Sequence, residues 1–132
     1  MIYLSAPYSS SDPAIRAQRV ASAIQAMTTL MAKGRVTICP IVLNHQAIEQ
    51  LPDGAAQLPG AYWKELELRL ADACDQLLVL RLPGWDKSRG VKREMDLFNA
   101  RAKPVEFLDP LDGSIIAGAN LTTGRRSELS GE

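Results

Sequence analysis

Short apolar runs alternate with longer stretches of helical periodicity along this chain, and that alternation restricts the fold more than any other feature. Residues 2–6 are apolar and run straight into Pro7, which reads as a strand entering a loop. Asp12 and Pro13 then form an N-cap with proline at the first helical position. Behind them Val20, Ala23, Ile24, Met27, Leu30 and Met31 recur at helical spacing until Gly34 stops the pattern. The β-branched stretch 36–41 predicts a second strand with Pro40 near its end. Residues 43–60 hold Pro52, Gly54, Pro59 and Gly60, and read as a short helix followed by a mobile loop.

A helix is expected over 61–73, with Trp63, Leu66, Leu70 and Ala73 on one face. Residues 76–82, Gln-Leu-Leu-Val-Leu-Arg-Leu, read as a buried strand. The Pro83-Gly84 turn leads through a polar run into a helix over 91–102, whose apolar stripe is Val91, Met95, Phe98 and Ala102. Residues 104–108 supply the last strand. Strands alternating with helices predict an α/β fold: a Rossmann- or flavodoxin-like three-layer sandwich around a parallel sheet of four to five strands. One domain is expected over 1–110. Past Asp112 the composition turns to Gly, Ser, Thr and charge, so 111–132 reads as a polar, frayed tail.

In open parallel sheets, ligands bind at the carboxyl ends of the strands. Three loops should therefore meet there: 6–11, 41–45 and 83–90. Fifteen basic residues balance fifteen acidic ones, so net charge offers no grip on polymeric nucleic acid or on a membrane surface. An anion must be held by local geometry. The start of the chain lacks the basic and apolar regions of a signal peptide, and no apolar run reaches membrane length, so a cytoplasmic location is expected. Cys39 and Cys74 lie in apolar stretches without metal-ligand spacing and read as buried thiols. With a single histidine beside them, no metal site is expected.

Glu94 breaks the pattern of the last helix. It stands three after Val91 and four before Phe98, on the apolar side, so its carboxylate projects towards the sheet edge. Placed in the first turn, it is expected to be ionised by the helix dipole. An anion at the mouth of a cleft suits glycosyl chemistry, where positive charge builds on the sugar; a carboxylate that merely complements the dipole gives the same pattern. Upstream, Asp86, Lys87, Ser88, Arg89 and Gly90 form a polar turn at a helix N-terminus. It reads as a phosphate site or as an ordinary cap through Ser88. Trp85 has two readings as well, a base-stacking surface or a cover for the core.

Taken together, the opening Met-Ile-Tyr-Leu-Ser-Ala-Pro-Tyr-Ser, the Cys-Asp-Gln-Leu-Leu-Val-Leu segment and the run from Leu82 to Glu94 resemble small bacterial and phage proteins grouped near the nucleoside 2-deoxyribosyltransferases. The resemblance spans roughly residues 1–110. It implies an N-glycosidase or deoxyribosyltransferase acting on a nucleotide or nucleoside, with no cofactor and with Glu94 as nucleophile. It further implies that Tyr3 orients that carboxylate, that Ser88 with Gly90 meets a 5′-phosphate, and that Ser5, Tyr8 and Ser9 line the pocket. Glu67 stands where relatives carry an Asp that holds sugar or base, one methylene longer. The loop after the first strand lacks the Arg of some monophosphate hydrolases; Arg16 and Arg19 are the nearby substitutes but read as solvated helix residues. His45 is either a substrate contact or a structural residue. Homo-oligomerisation, as a dimer or tetramer, is also implied. The competing reading is a non-catalytic module that senses a nucleotide in the same cleft.

Overall fold

A computed structural model describes residues 1–52 and 58–118. The chain runs β1 (Ile2–Ser5), α1 (Pro13–Ala32), β2 (Thr37–Ile38), α2 (Pro40–Ile48), α3 (Gly60–Ala73), β3 (Gln76–Leu80), α4 (Arg89–Ala100), β4 (Val105–Leu108) and β5 (Ile115–Ala117). The sheet order is β2-β1-β3-β4-β5. The first four strands pair in parallel and β5 pairs antiparallel to β4. This is the expected α/β architecture, with one antiparallel edge added.

The alternation of side chains along each strand sorts the core into two halves. Ile2 and Leu4 of β1, with Leu78 and Leu80 of β3, pack under Val20, Ala23 and Leu30 of α1 and Ile41 and Ile48 of α2. Tyr3, Leu77, Val79 and Phe107 face the other way, against Ala71 of α3 and Val91 and Phe98 of α4. Two helices therefore cover each face, and the central strands are buried on both sides, as parallel sheets require.

Local chemistry sets the helix ends. The Asp12 carboxylate accepts from the Ala14 N–H at 2.9 Å, with proline next in line. Ser88 Oγ accepts from the Val91 N–H at 3.2 Å and opens α4. Lys103 Nζ donates to the Ala71 carbonyl at 2.7 Å and the Cys74 carbonyl at 2.8 Å, closing the carboxyl end of α3.

Five details depart from the sequence reading. The second strand stops at Ile38, because Pro40 lacks the N–H a ladder needs and instead begins α2. Residues 41–45 are consequently helical rather than a loop. On α1 the buried line is Val20, Ala23 and Leu30, whereas Ile24 and Met31 stand exposed to one side of it. On α3 the face turned inward centres on Glu67 and Ala71, and Ala73 is exposed. The last helix starts two residues earlier than expected and ends at Ala100, with Ala102 beyond it in a left-handed conformation. Finally, Ile115–Ala117 is a strand, not tail. Asp109 accepts from the Leu111 and Asp112 N–H groups, and the turn returns the chain along β4. The rest of the expected tail, 119–132, and part of the expected mobile loop, 53–57, lie outside the described residues. Among the described residues no helix is long and apolar enough to cross a membrane.

From β1 the chain steps sideways to β2, while β3 lies on the opposite flank of β1. The loops leaving β1 and β3 therefore diverge, and a crevice opens between them at the strands' carboxyl ends. Topology alone places the cleft there.

Candidate active site

Glu94 sits at the floor of that crevice, 8% exposed. Two hydroxyls from β1 hold its carboxylate. The Ser5 hydroxyl donates to Oε1 at 2.6 Å, and the Tyr3 hydroxyl donates to Oε2. Residues two apart on a strand share a face, so the Tyr3–Ser5 spacing aims both donors at one acid. Tyr3 is itself fully buried, wedged edge-on against Phe98 with ring centres 5.4 Å apart. Burial and the neighbouring Glu94 raise the Tyr3 pKa, so its hydroxyl remains a donor.

Glu94 lies in the second turn of α4, since the helix begins at Arg89 and carries no acid in its first turn. The expected dipole argument for an ionised carboxylate thus weakens, because that effect fades beyond the first turn. Burial dominates instead and pushes the Glu94 carboxyl up to about 7, against the opposing pull of the Ser5 and Tyr3 hydroxyls. The acid is poised between its two states near neutrality.

Beside it stands a second buried carboxylate, Glu67, 6% exposed. Arg93 binds it through two bonds, Nε to Oε1 at 3.2 Å and Nη2 to Oε2 at 3.0 Å. Glu67 was expected to hold substrate; its two oxygens hold Arg93. The pair joins α3 to α4 along one wall of the cleft.

The cavity measures about 500 Å³, within the usual range for small-ligand sites. Ala6, Pro7, Tyr8 and Ser9 form one side, and Gly84 with residues 87–90 forms the facing side. Arg19, Pro40, Ile41 and Trp63 complete the wall. Of the predicted site residues, Tyr8, Ser9, Glu67, Ser88, Gly90 and Glu94 line this space directly, and Tyr3 and Ser5 grip Glu94 from the sheet. Ser88 caps α4 and also borders the cavity, so its two readings coexist.

Residues 1–109 match a family described as a domain of unknown function, DUF1937. The chain belongs to the DUF1937 family. The matched stretch of this DUF1937 chain carries β1 to β4 and every residue of the cleft. No curated protein matches it.

Two residues with open readings fall on the structural side. The Trp85 indole packs against Phe107, ring centres 5.3 Å apart, with the Arg81 guanidinium 5.5 Å above it. It covers the core on the α3–α4 side and does not border the cleft. His45 stands behind Tyr8 rather than in the cavity, its Nδ1 paired with the Tyr8 hydroxyl at 2.8 Å. Carried on α2, His45 meets the site through that tyrosine.

Four residues do more than the sequence reading gave them. Arg16 and Arg19 are anchors rather than solvated residues: Arg16 donates to the Ser10 carbonyl at 2.6 Å and Arg19 to the Ser9 carbonyl at 3.0 Å. Arg19 also borders the cavity, close to Gly84; a Cβ there would lie 3.2 Å from its guanidinium, at a φ of +90°. Arg93 gave no sign of its role in the sequence, because its partner lies on another helix. Trp63 was assigned to a packing face and in fact also borders the cavity. Both cysteines are buried free thiols, with burial pushing Cys39 up to about 12. Among the described residues no three His, Cys, Asp or Glu side chains converge as a metal site.

The cleft has two characters. Trp63, Tyr8 and Ile41 belong to the α1–α2 side and make an apolar end. Lys87, Ser88, Arg89 and Gly90 surround the opening turn of α4 and make a cationic one, where free backbone N–H groups add positive potential. Among the described residues neither Lys87 nor Arg89 is engaged by a carboxylate.

Proposed function

We propose that this protein cleaves or transfers the N-glycosidic bond of a nucleotide or nucleoside, with Glu94 as the nucleophile. The observation that carries this reading is a carboxylate at the floor of a cleft, fixed by the Tyr3 and Ser5 hydroxyls and almost fully removed from water. A buried anion held in one orientation suits attack on an anomeric carbon, because the developing sugar cation finds a fixed opposite charge in a low-dielectric site. Ester formation is helped further, since the carboxyl raised to about 7 is a better nucleophile than an ordinary acid once ionised.

The two ends of the cleft match the two ends of a nucleotide. A flat base fits the apolar wall of Trp63 and Ile41, and a phosphate fits the cationic turn at Lys87–Gly90. The sugar between them is brought over Glu94. Water or a second base then releases it from the ester.

Purified protein incubated with a panel of ribo- and deoxyribonucleotides should liberate free base, read by chromatography. Glu94→Ala should lower the rate by roughly three orders of magnitude or more. Unchanged release in that variant removes Glu94 from the chemistry. Nucleotides that raise the melting temperature of the wild-type protein but yield no base would identify a binding module instead.

A further inference from the structure

A departing base carries a lone pair that must be protonated, and the obvious acid is disqualified. Glu67 is the second carboxylate of the cleft, but Arg93 occupies both its oxygens. With both oxygens accepting from the guanidinium, neither is turned to the base as a donor. Ser88 is committed to capping α4, and Lys87 stands at the cationic end, away from the apolar wall where a base fits.

Tyr8 is left. It is 6% exposed, borders the cavity, and belongs to the apolar cluster with Ile41. Its hydroxyl meets His45 Nδ1 at 2.8 Å, and the two rings sit edge to face with centres 5.7 Å apart. Among the described residues, His45 meets Tyr8 from the β1–α1 loop and Glu49, 3.9 Å away at the end of its own helix; Arg16 of α1 binds Glu49 at 3.3 Å and draws the Tyr8 pKa down. With its proton on Nδ1, the imidazole donates to the Tyr8 oxygen, which then accepts. The tyrosine's own proton is then free to point into the cleft. Burial raises the Tyr8 pKa, so that proton is present at neutral pH.

We infer that Tyr8, held by His45, is the general acid that protonates the leaving base; the assignment rests on the glycosidic reading above. As the C1′–N bond breaks, its electron pair passes to nitrogen and takes the Tyr8 proton, while a Glu94 oxygen bonds to C1′. The phenolate left on Tyr8 is held by the His45 Nδ1–H. When water later attacks C1′, the C1′–O pair returns to Glu94 and the water's proton restores the Tyr8 hydroxyl.

The test compares 2′-deoxyguanosine 5′-monophosphate with its 7-methyl derivative, whose cationic base departs neutral and needs no acid. Tyr8→Phe should lower kcat on the ordinary nucleotide about 100-fold and on the methylated one far less. His45→Ala should lower kcat on the ordinary nucleotide with little change in KM, again sparing the methylated substrate by comparison. Equal losses on both substrates in Tyr8→Phe, with its fold intact by circular dichroism, overturn the assignment to Tyr8 and leave Glu94 untouched. Loss confined to the ordinary nucleotide in Lys87→Met but not in Tyr8→Phe overturns it in favour of the lysine. Release of base from neither substrate by wild-type protein sinks the glycosidic reading and this assignment together.

Discussion

Replacing Glu94 with glutamine should make the protein more stable above neutral pH, and the size of the gain follows from the site. Folding takes this carboxyl from an ordinary 4.5 to about 7. At about 1.4 kcal/mol per pH unit, ionising it in the folded protein costs about 3 kcal/mol more than in the unfolded chain. Below the unfolded value both states hold the proton, and Glu94 takes nothing from stability. Between about 4.5 and 7 the folded state binds more protons than the unfolded one, so stability falls as pH rises. Above that window the loss is complete. Glutamine does not titrate, and its carboxamide oxygen still accepts from a β1 hydroxyl. The groups that feel the Glu94 charge, Tyr3, Cys39 and Arg93, keep their protons throughout this window, so the difference between the two curves isolates Glu94. Urea unfolding at about pH 5 and about pH 8 should show the variant's advantage growing by roughly 2–3 kcal/mol between the two conditions. A difference that stays flat within about 0.5 kcal/mol, near the precision of such extrapolations, would refute the claim that burial governs this acid.

Two further outcomes follow from the same geometry. Ser5→Ala removes the strongest of the interactions that hold Glu94 ionised, so the rising limb of base release against pH, expected near neutrality, should move to higher pH; kcat/KM profiles of both proteins would show it. Arg93→Met leaves the buried Glu67 carboxylate unpaired and should cost about 1–3 kcal/mol in urea unfolding, less than for a fully buried pair because 43% of the arginine side chain is exposed. Adding Glu67→Gln should recover most of that loss, and a double variant no more stable than Arg93→Met would show that the pair is not coupled.

Periodicity carried the reading of the fold. The run 76–82 located the central strand, the Asp12-Pro13 pair located the start of α1, and alternation of the two patterns gave the sandwich. Errors arose where one residue serves two codes. Pro40 ends a strand and equally well begins a helix, and its neighbours' β-branching favoured the wrong choice. Ile115 and Ile116 pair with β4 only because the Asp109 turn brings them back, and composition around them spoke for a tail. Within the site, Glu94 announced itself as an acid on the apolar face of a helix. Arg93, its neighbour in sequence, gave no such signal, because a charged residue flanking the stripe looks the same whether it meets water or a buried carboxylate.

The chain's linear pattern determined the layers, the helix caps and the edge of the sheet where a ligand belongs. Those features depend on residues within a turn or two of one another, and their spacing is written in the sequence. The three-dimensional fold decided what the acid touches. Tyr3 and Ser5 lie 91 and 89 residues from Glu94, and Glu67 lies 26 from Arg93. Strand order and register bring these groups within bonding distance, and the burial that results sets their protonation. No local property of residue 94 contains that information, since it resides in which strands pair and what they exclude from water.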